Sequence, residues 1–184
     1  MSRYVAFLRA INVGGRAIVR MTDLRDAFVA AGCKQVRTYI QSGNVVFESS
    51  AKDPSSRFRK IRSQVAILLH GTEPEISFRQ VSDIEKIVSA APFKAFEDDP
   101  KLKLYVGFLA ERPAAAPVLP LISVKEAVEV IGVDGLEVFM VSRQKKNGFY
   151  GFPNNFIEKE LGVSSTSRNW TTVTKILDFA NTGE

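Results

Sequence analysis

The sequence predicts an α+β protein of two similar units, each built on an antiparallel sheet. Three observations carry that expectation. The chain opens with strand, helix, strand, strand, helix, strand, which is the split βαβ or ferredoxin-like order. Ser42-Gly43 and Asp134-Gly135 are each flanked by strand-like runs, which marks two hairpins. The second half then repeats strand, connection, strand, strand, helix. The expected units are residues 1–81 and 82–184, the second irregular at its end and carrying extra C-terminal helices.

Residues 3–9 (RYVAFLR) are apolar on both faces, as a central strand is. Gly14-Gly15 marks a loop. Thr22 and Asp23 are helix-start residues, and Leu24, Ala27, Phe28 and Ala31 recur at helical spacing before Gly32 closes the helix. Val36, Thr38 and Ile40 alternate with Arg37, Tyr39 and Gln41, and Asn44 to Phe47 form the returning strand. Asp53 reads as a helix cap with Pro54 at the first helical position. Phe58, Ile61, Val65 and Leu68 make one apolar stripe, with His70 in the last turn before Gly71. Ile76 and Phe78 belong to a fourth strand.

Ser82 and Glu85 form a capping box ahead of Ile84, Ile87 and Val88. Residues 92–100 read as a loop. Leu102, Leu104, Val106 and Phe108 alternate with Lys101, Lys103, Tyr105 and Gly107, as in a half-buried strand. The Pro-rich stretch 113–120 holds at most a short helix. Residues 127–131 and 136–142 flank the second hairpin. One helix follows Pro153, and another carries Trp170, Val173, Leu177 and Ala180 on one side, with Trp170 largely buried. No residue-level repeat stands out, so the duplication is expected from element order alone.

At 45% hydrophobic and 24% charged, the 184 residues have the composition of a soluble globular chain. The formal charge of +5 suits a polyanion without requiring one, because the basic residues are spread and no five like charges run together. No segment approaches the roughly 20 apolar residues of a membrane span. The start lacks a signal-peptide pattern, and the lone Cys33 cannot form an intramolecular disulfide. A cytoplasmic protein off the membrane is expected. No pattern sets the oligomeric state.

One histidine and one cysteine exclude a His/Cys zinc site within the chain, and neither metal nor cofactor is expected. His70 reads as a helix-end residue and Cys33 as a small packed side chain. Glu97, Asp98 and Asp99 read as a solvated acidic loop. No phosphate-loop or dinucleotide fingerprint is present. Three constellations remain. Arg9, Asn12, Gly14, Gly15 and Arg16 lead from a strand end towards a helix start, where glycine amides and arginines suit an anion. Gln41-Ser42-Gly43-Asn44 is a polar turn. Arg168-Asn169-Trp170 precedes the final helix, and Asn169 or Thr171 suits its cap. Loop, turn and cap each account for these residues without a ligand.

LRAINVGG (8–15), RTYIQSGNVVF (37–47), FPNNFIEKELGV (152–163) and TSRNWTTVTKI (166–176) together resemble the bacterial family called domain of unknown function 1697. The resemblance implies a duplicated ferredoxin-like fold and no assigned activity. It implies that Arg9, Asn12, Gly14, Gly15, Gln41, Gly43, Asn44, Arg168, Asn169 and Trp170 are the family's characteristic positions. Ala10 stands where the family commonly has glycine.

The functional expectation is a non-catalytic binding module for an anionic ligand, a nucleotide or single-stranded nucleic acid. Its expected ligand-binding residues are Arg9, Asn12, Gly14, Gly15, Arg16, Gln41, Asn44, Arg168 and Asn169. Arg37, Tyr39 and Gln41 on one strand face, with Lys101, Lys103 and Tyr105 on another, suit a nucleic acid on an open sheet. Two alternatives stay open. One is an enzyme on a small phosphorylated or carboxylated substrate gripped by Arg9 and Arg168, against which no general base stands out. The other is a protein-interaction module.

Overall fold

The computed structural model describes residues 1–12 and 18–182, so Gly14, Gly15 and Arg16 lie outside the described residues. The described chain is mixed α+β, with two antiparallel sheets of four and five strands and five helices. It divides into two units. One is Met1–Ile84 joined by the chain from Leu177 onward, and the other is Glu85–Ile176.

The first unit runs β1 (Ser2–Leu8), α1 (Met21–Ala30), β2 (Lys34–Tyr39), β3 (Asn44–Ser49), α2 (Pro54–Leu68) and β4 (Ile76–Gln80), and takes in the start of α3 (Val81–Ala90). Its strands stand in the order β2-β3-β1-β4. The pleat sends Tyr4, Ala6 and Leu8 to one face, with Val45 and Phe47 beside them. That face meets Leu24 and Phe28 of α1 and Ile61 and Val65 of α2, and these residues form the core. Asp53 caps α2, its carboxylate accepting from the amides of Ser55 and Ser56. Gly43, at φ 72°, closes the hairpin, and a Cβ there would stand 3.0 Å from Leu8 Cβ.

Some helix ends differ from expectation. α1 starts at Met21, so Thr22 and Asp23 lie in its first turn, where Asp23 pairs with Arg20 at 2.9 Å. α3 starts at Val81, which puts Ser82 inside the helix rather than ahead of it. α2 stops at Leu68, and His70 lies beyond it in the left-handed region at φ 53°.

The second unit holds the rest of α3, then β5 (Leu102–Leu109), β6 (Leu121–Ser123), β7 (Val128–Asp134), β8 (Glu137–Arg143), α4 (Asn154–Leu161), β9 (Ser165–Asn169) and most of α5 (Trp170–Asn181). The strand order is β6-β7-β8-β5-β9. Leu109, Val130, Val138 and Met140 face Ile157 and Leu161 of α4. Gly107 permits that approach, because a Cβ there would lie 3.0 Å from both Ile157 Cδ1 and Met140 Cε. On the other face Phe93 packs edge-on against Phe139 at 5.9 Å and Trp170 at 5.2 Å. The Pro-rich stretch 113–120 holds no helix and leads into β6, and residues 165–169 form a strand rather than only a cap.

The central strands of the two sheets match in sequence, and their neighbours match in register. Tyr4-Val5-Ala6-Phe7-Leu8 of β1 corresponds to Tyr105-Val106-Gly107-Phe108-Leu109 of β5. Val5 lies between Val46 and Arg79, and Val106 lies between Phe139 and Arg168. Each of those arginines donates Nη1 to the preceding carbonyl, Arg79 to Phe78 at 2.8 Å and Arg168 to Ser167 at 2.9 Å. Two residues later each strand passes into a helix, α3 or α5. The first strand of each hairpin, β2 or β7, also breaks register at the matching place.

The sheet face carrying Arg37 and Tyr39 is not open. The end of α5, which belongs to this unit, occupies it. Arg37 donates Nη2 to Phe179 O and Nη1 to Thr182 O, both at 2.9 Å, with its guanidinium 4.4 Å from the Phe179 ring. Arg3 donates to Ala180 O at 2.7 Å, and the Tyr39 ring lies 5.3 Å from Phe179. Terminal helix carbonyls lack intrahelical donors and carry partial negative charge, so two guanidiniums suit them. Arg37→Ala should lower stability by about 1–2 kcal/mol, two partly exposed charge-assisted bonds being lost. Arg37→Lys, which lacks the fork, should recover less than half of that. Urea midpoints measure both, and an unchanged midpoint for Arg37→Ala would mean that the helix end docks without this residue.

Candidate functional site

The first two sequence constellations meet at one end of the first sheet. Leu8 donates its amide to Gly43 O at 2.8 Å, joining the end of β1 to the hairpin turn. Asn12, at φ 57°, donates Nδ2 to Val19 O at 2.9 Å and Gln41 O at 3.0 Å, and its Oδ1 accepts from the Val19 amide at 2.8 Å. One side chain thus joins Asn12 to Val19 and fastens both to the turn. Asn44 is fully buried and donates to Tyr39 O and Ser42 Oγ. Arg9 pairs with Glu75 at 3.0 Å. The polar groups of Asn12 and Asn44 go to the protein's own backbone and turn, and the Arg9 cation faces a carboxylate.

The third constellation lies in the second unit. Arg168 and Asn169 alternate along β9. Arg168 stands opposite Val106, and Asn169 stands opposite Tyr105. Burial brings the Arg168 guanidinium down to about 10, so it stays charged at neutral pH. Asn169 Oδ1 accepts from the Thr172 amide at 2.7 Å and caps α5. On the α4 side, Ser165 and Ser167 donate to Oδ1 of the buried Asn154, a network that sequence reading missed because it saw only a polar stretch.

Asn169 also lines a groove of about 470 Å³ with Lys103, Tyr105, Trp170, Glu97 and Asp99. That volume suits a small organic ligand. The groove is amphipathic along its length. Trp170 Nε1 donates to Glu97 Oε1 at 3.1 Å, and Asp99 Oδ1 accepts from the Lys101 amide at 2.9 Å, so carboxylates stand at the loop. Lys103 supplies the cation, its Nζ 4.3 Å from the Tyr150 ring. Burial, with a smaller contribution from Tyr150, raises the Tyr105 phenol, which stays neutral and able to donate a hydrogen bond. Lys103 and Tyr105 were legible as one strand face, but their meeting with Glu97 and Trp170 depends on tertiary structure.

Cys33 is buried, and desolvation pushes its thiol up to about 11 against a smaller opposing pull from Arg57. Among the described residues, no group of three or more His, Cys, Asp or Glu side chains could hold a metal ion. Among them too, no helix is long and apolar enough to cross a membrane.

Two measurements follow from these environments. A thiol reagent at pH 8 should label Cys33 only as fast as the first unit opens, and rapid labelling of the native protein would contradict its burial. Trp170 is half-buried rather than largely buried. Trp170→Ala should therefore cost about 2–3 kcal/mol, below the roughly 3–5 kcal/mol of a fully buried large aromatic. A denaturant midpoint shifted by the full-core amount would show that the indole anchors more than Phe93.

The family described as protein of unknown function (DUF1697) matches residues 1–139. That span holds the first two motif stretches, and residues 152–163 and 166–176 lie beyond it. No curated protein matches the chain. Among solved structures the chain is similar to a conserved bacterial protein, SP0830 from Streptococcus pneumoniae, at 20% identity and a TM-score of 0.65. The likeness covers 98% of this chain and 99% of that one, and at this identity it shows the fold alone. With most of its length matched, the chain belongs to the DUF1697 family of proteins of unknown function.

Proposed function

We propose that the protein is a non-catalytic binding module for an anionic ligand of the nucleotide class, held in the groove of the second unit. The carrying observation is the set of groups that line that groove. Lys103 offers a cation for phosphate, Trp170 offers a π face for a base, and Glu97 and Asp99 offer acceptors for amino or hydroxyl groups. The first-unit residues Arg9, Asn12, Gln41 and Asn44 support the fold around the hairpin turn in this reading, and Asn169 serves the ligand.

We also read both units, roughly residues 1–81 and 82–184, as ferredoxin-like. The order β2-β3-β1-β4 recurs as β7-β8-β5-β9, with β6 standing where the first unit has α1.

Titration of adenosine monophosphate, followed by Trp170 fluorescence, tests the binding reading. Affinity should fall as salt rises, and Lys103→Ala should weaken it about fivefold, the loss of one charge-assisted contact. Equal affinity for wild type and Lys103→Ala would remove the groove as the phosphate site.

A further inference from the structure

Resting on that reading, we propose that the groove is one end of a longer track and that its ligand is a single-stranded nucleic acid of several nucleotides. The observation is an aromatic and lysine surface that begins at the groove wall. Tyr105 contacts Phe152 edge-on, at 6.4 Å and 82°. Lys103 lies over Tyr150, and the Tyr150 hydroxyl donates to Lys101 O at 3.0 Å. Two groove residues therefore connect directly to two rings outside it.

These rings are displayed by a built turn. Lys145 donates its amide to Phe149 O at 2.8 Å, and Gly148 donates to Lys145 O at 2.9 Å with φ 83°. Asn147 Oδ1 accepts from the Phe149 amide at 3.1 Å, and Gln144 Nε2 donates to Gly148 O at 2.8 Å. The turn holds Phe149 at 72% exposure, and Phe152 just beyond it is 59% exposed. Fixing large aromatic surface in water costs free energy unless a partner covers it.

The charges select the partner. Lys101, Lys103 and Lys146 are exposed at the strand and turn that carry these rings, and Lys145 is committed to Glu126 at 3.0 Å. Rings spaced along a lysine-bearing track fit a strand of bases on a phosphate backbone, because every base offers a π face and every link a charge. Glu97 and Asp99 also line the groove, where a phosphate is repelled and a terminal base or sugar can donate. The geometry thus places the strand's last nucleotide in the groove and its next ones over Tyr150, Phe152 and Phe149.

The test is fluorescence anisotropy with labelled oligothymidylates and oligouridylates of two to twelve residues, beside thymidine monophosphate. Wild type, Phe149→Ala/Phe152→Ala and Lys146→Ala are compared. Affinity should climb with length over the first few nucleotides, and the double variant should lose about tenfold or more of that gain. Thymidine monophosphate should bind wild type and the double variant alike. The removed rings are exposed, so urea midpoints should match and isolate the binding effect. Oligonucleotides that bind no tighter than the mononucleotide, or a length gain untouched by the double variant, would overturn the track and leave the groove reading standing. No binding of mononucleotide or strand would overturn both. A gain seen with one sugar alone would support the track and identify the strand as DNA or RNA.

Discussion

A strand that is apolar on both faces has to be covered on both faces, and the rest of this fold follows from that requirement. Val5 and Phe7 point one way from β1 and Tyr4, Ala6 and Leu8 point the other, and all five are buried. β5 repeats the pattern with Val106 and Phe108 against Tyr105, Gly107 and Leu109. Burying such side chains is worth about 1.5–3 kcal/mol each, more than any single surface contact supplies. Helices α1 and α2 cover one face of the first sheet, and the end of α5 lies on the other. A strand of this kind cannot belong to an open recognition sheet. Ligand surface is left to the rims and loops.

The same requirement consumes much of the positive charge. Arg3 and Arg37 serve the carbonyls at the end of α5, Arg9 faces Glu75, and Arg79 and Arg168 bond the backbone of their own strands. Arginine suits these tasks because its planar fork reaches carbonyls and carboxylates from a partly desolvated position. Arg20, Arg25, Arg59 and Arg143 stay in water with the lysines, and in the second unit Lys101, Lys103 and Lys146 are exposed. A net charge of +5 therefore says less about ligand binding than where each cation is spent.

Sequence patterns exposed those parts of the fold that rest on local physics. Alternation gave the strands, Asp53 and Asn169 occupy cap positions, and Gly43 and Gly135 take the positive φ their hairpins need. β9 stayed hidden because Ser-Thr-Ser-Arg-Asn has no apolar face. Its inward side chains are satisfied by Asn154, a residue far enough away that only the folded chain joins them. β6 is three residues long, too short for a period. The repeat stayed hidden because insertions differ between the halves, so no single offset aligns β1, β3 and β4 with their counterparts at once. The expected anion site grouped Asn12 with Gln41, and the fold joins those two through a hydrogen bond. It could not foresee that Asn12 would be spent on Val19 and Gln41. The groove draws on a loop, a strand and a helix start, and no window along the chain contains all three.

The repeat also shows how the second unit came to have a surface where the first has core. Tyr4 packs edge-on against Phe58 at 5.4 Å and 85°, and Phe58 sits within the 15 residues of α2. Its counterpart Tyr105 meets Phe152 at 6.4 Å and 82°, but Phe152 precedes α4, which has only 8 residues. The same aromatic pair is thus closed by a long helix in one unit and left at an open rim in the other. Tyr4 is 5% exposed, whereas Tyr105 remains reachable and lines a groove. Shortening the helix forfeits buried apolar area, and the first unit shows that this sheet can carry a longer one. Phe152 is thus left exposed beside a half-buried Tyr105, and a ligand that covers Phe152 would supply burial of the kind α2 gives Tyr4 and Phe58.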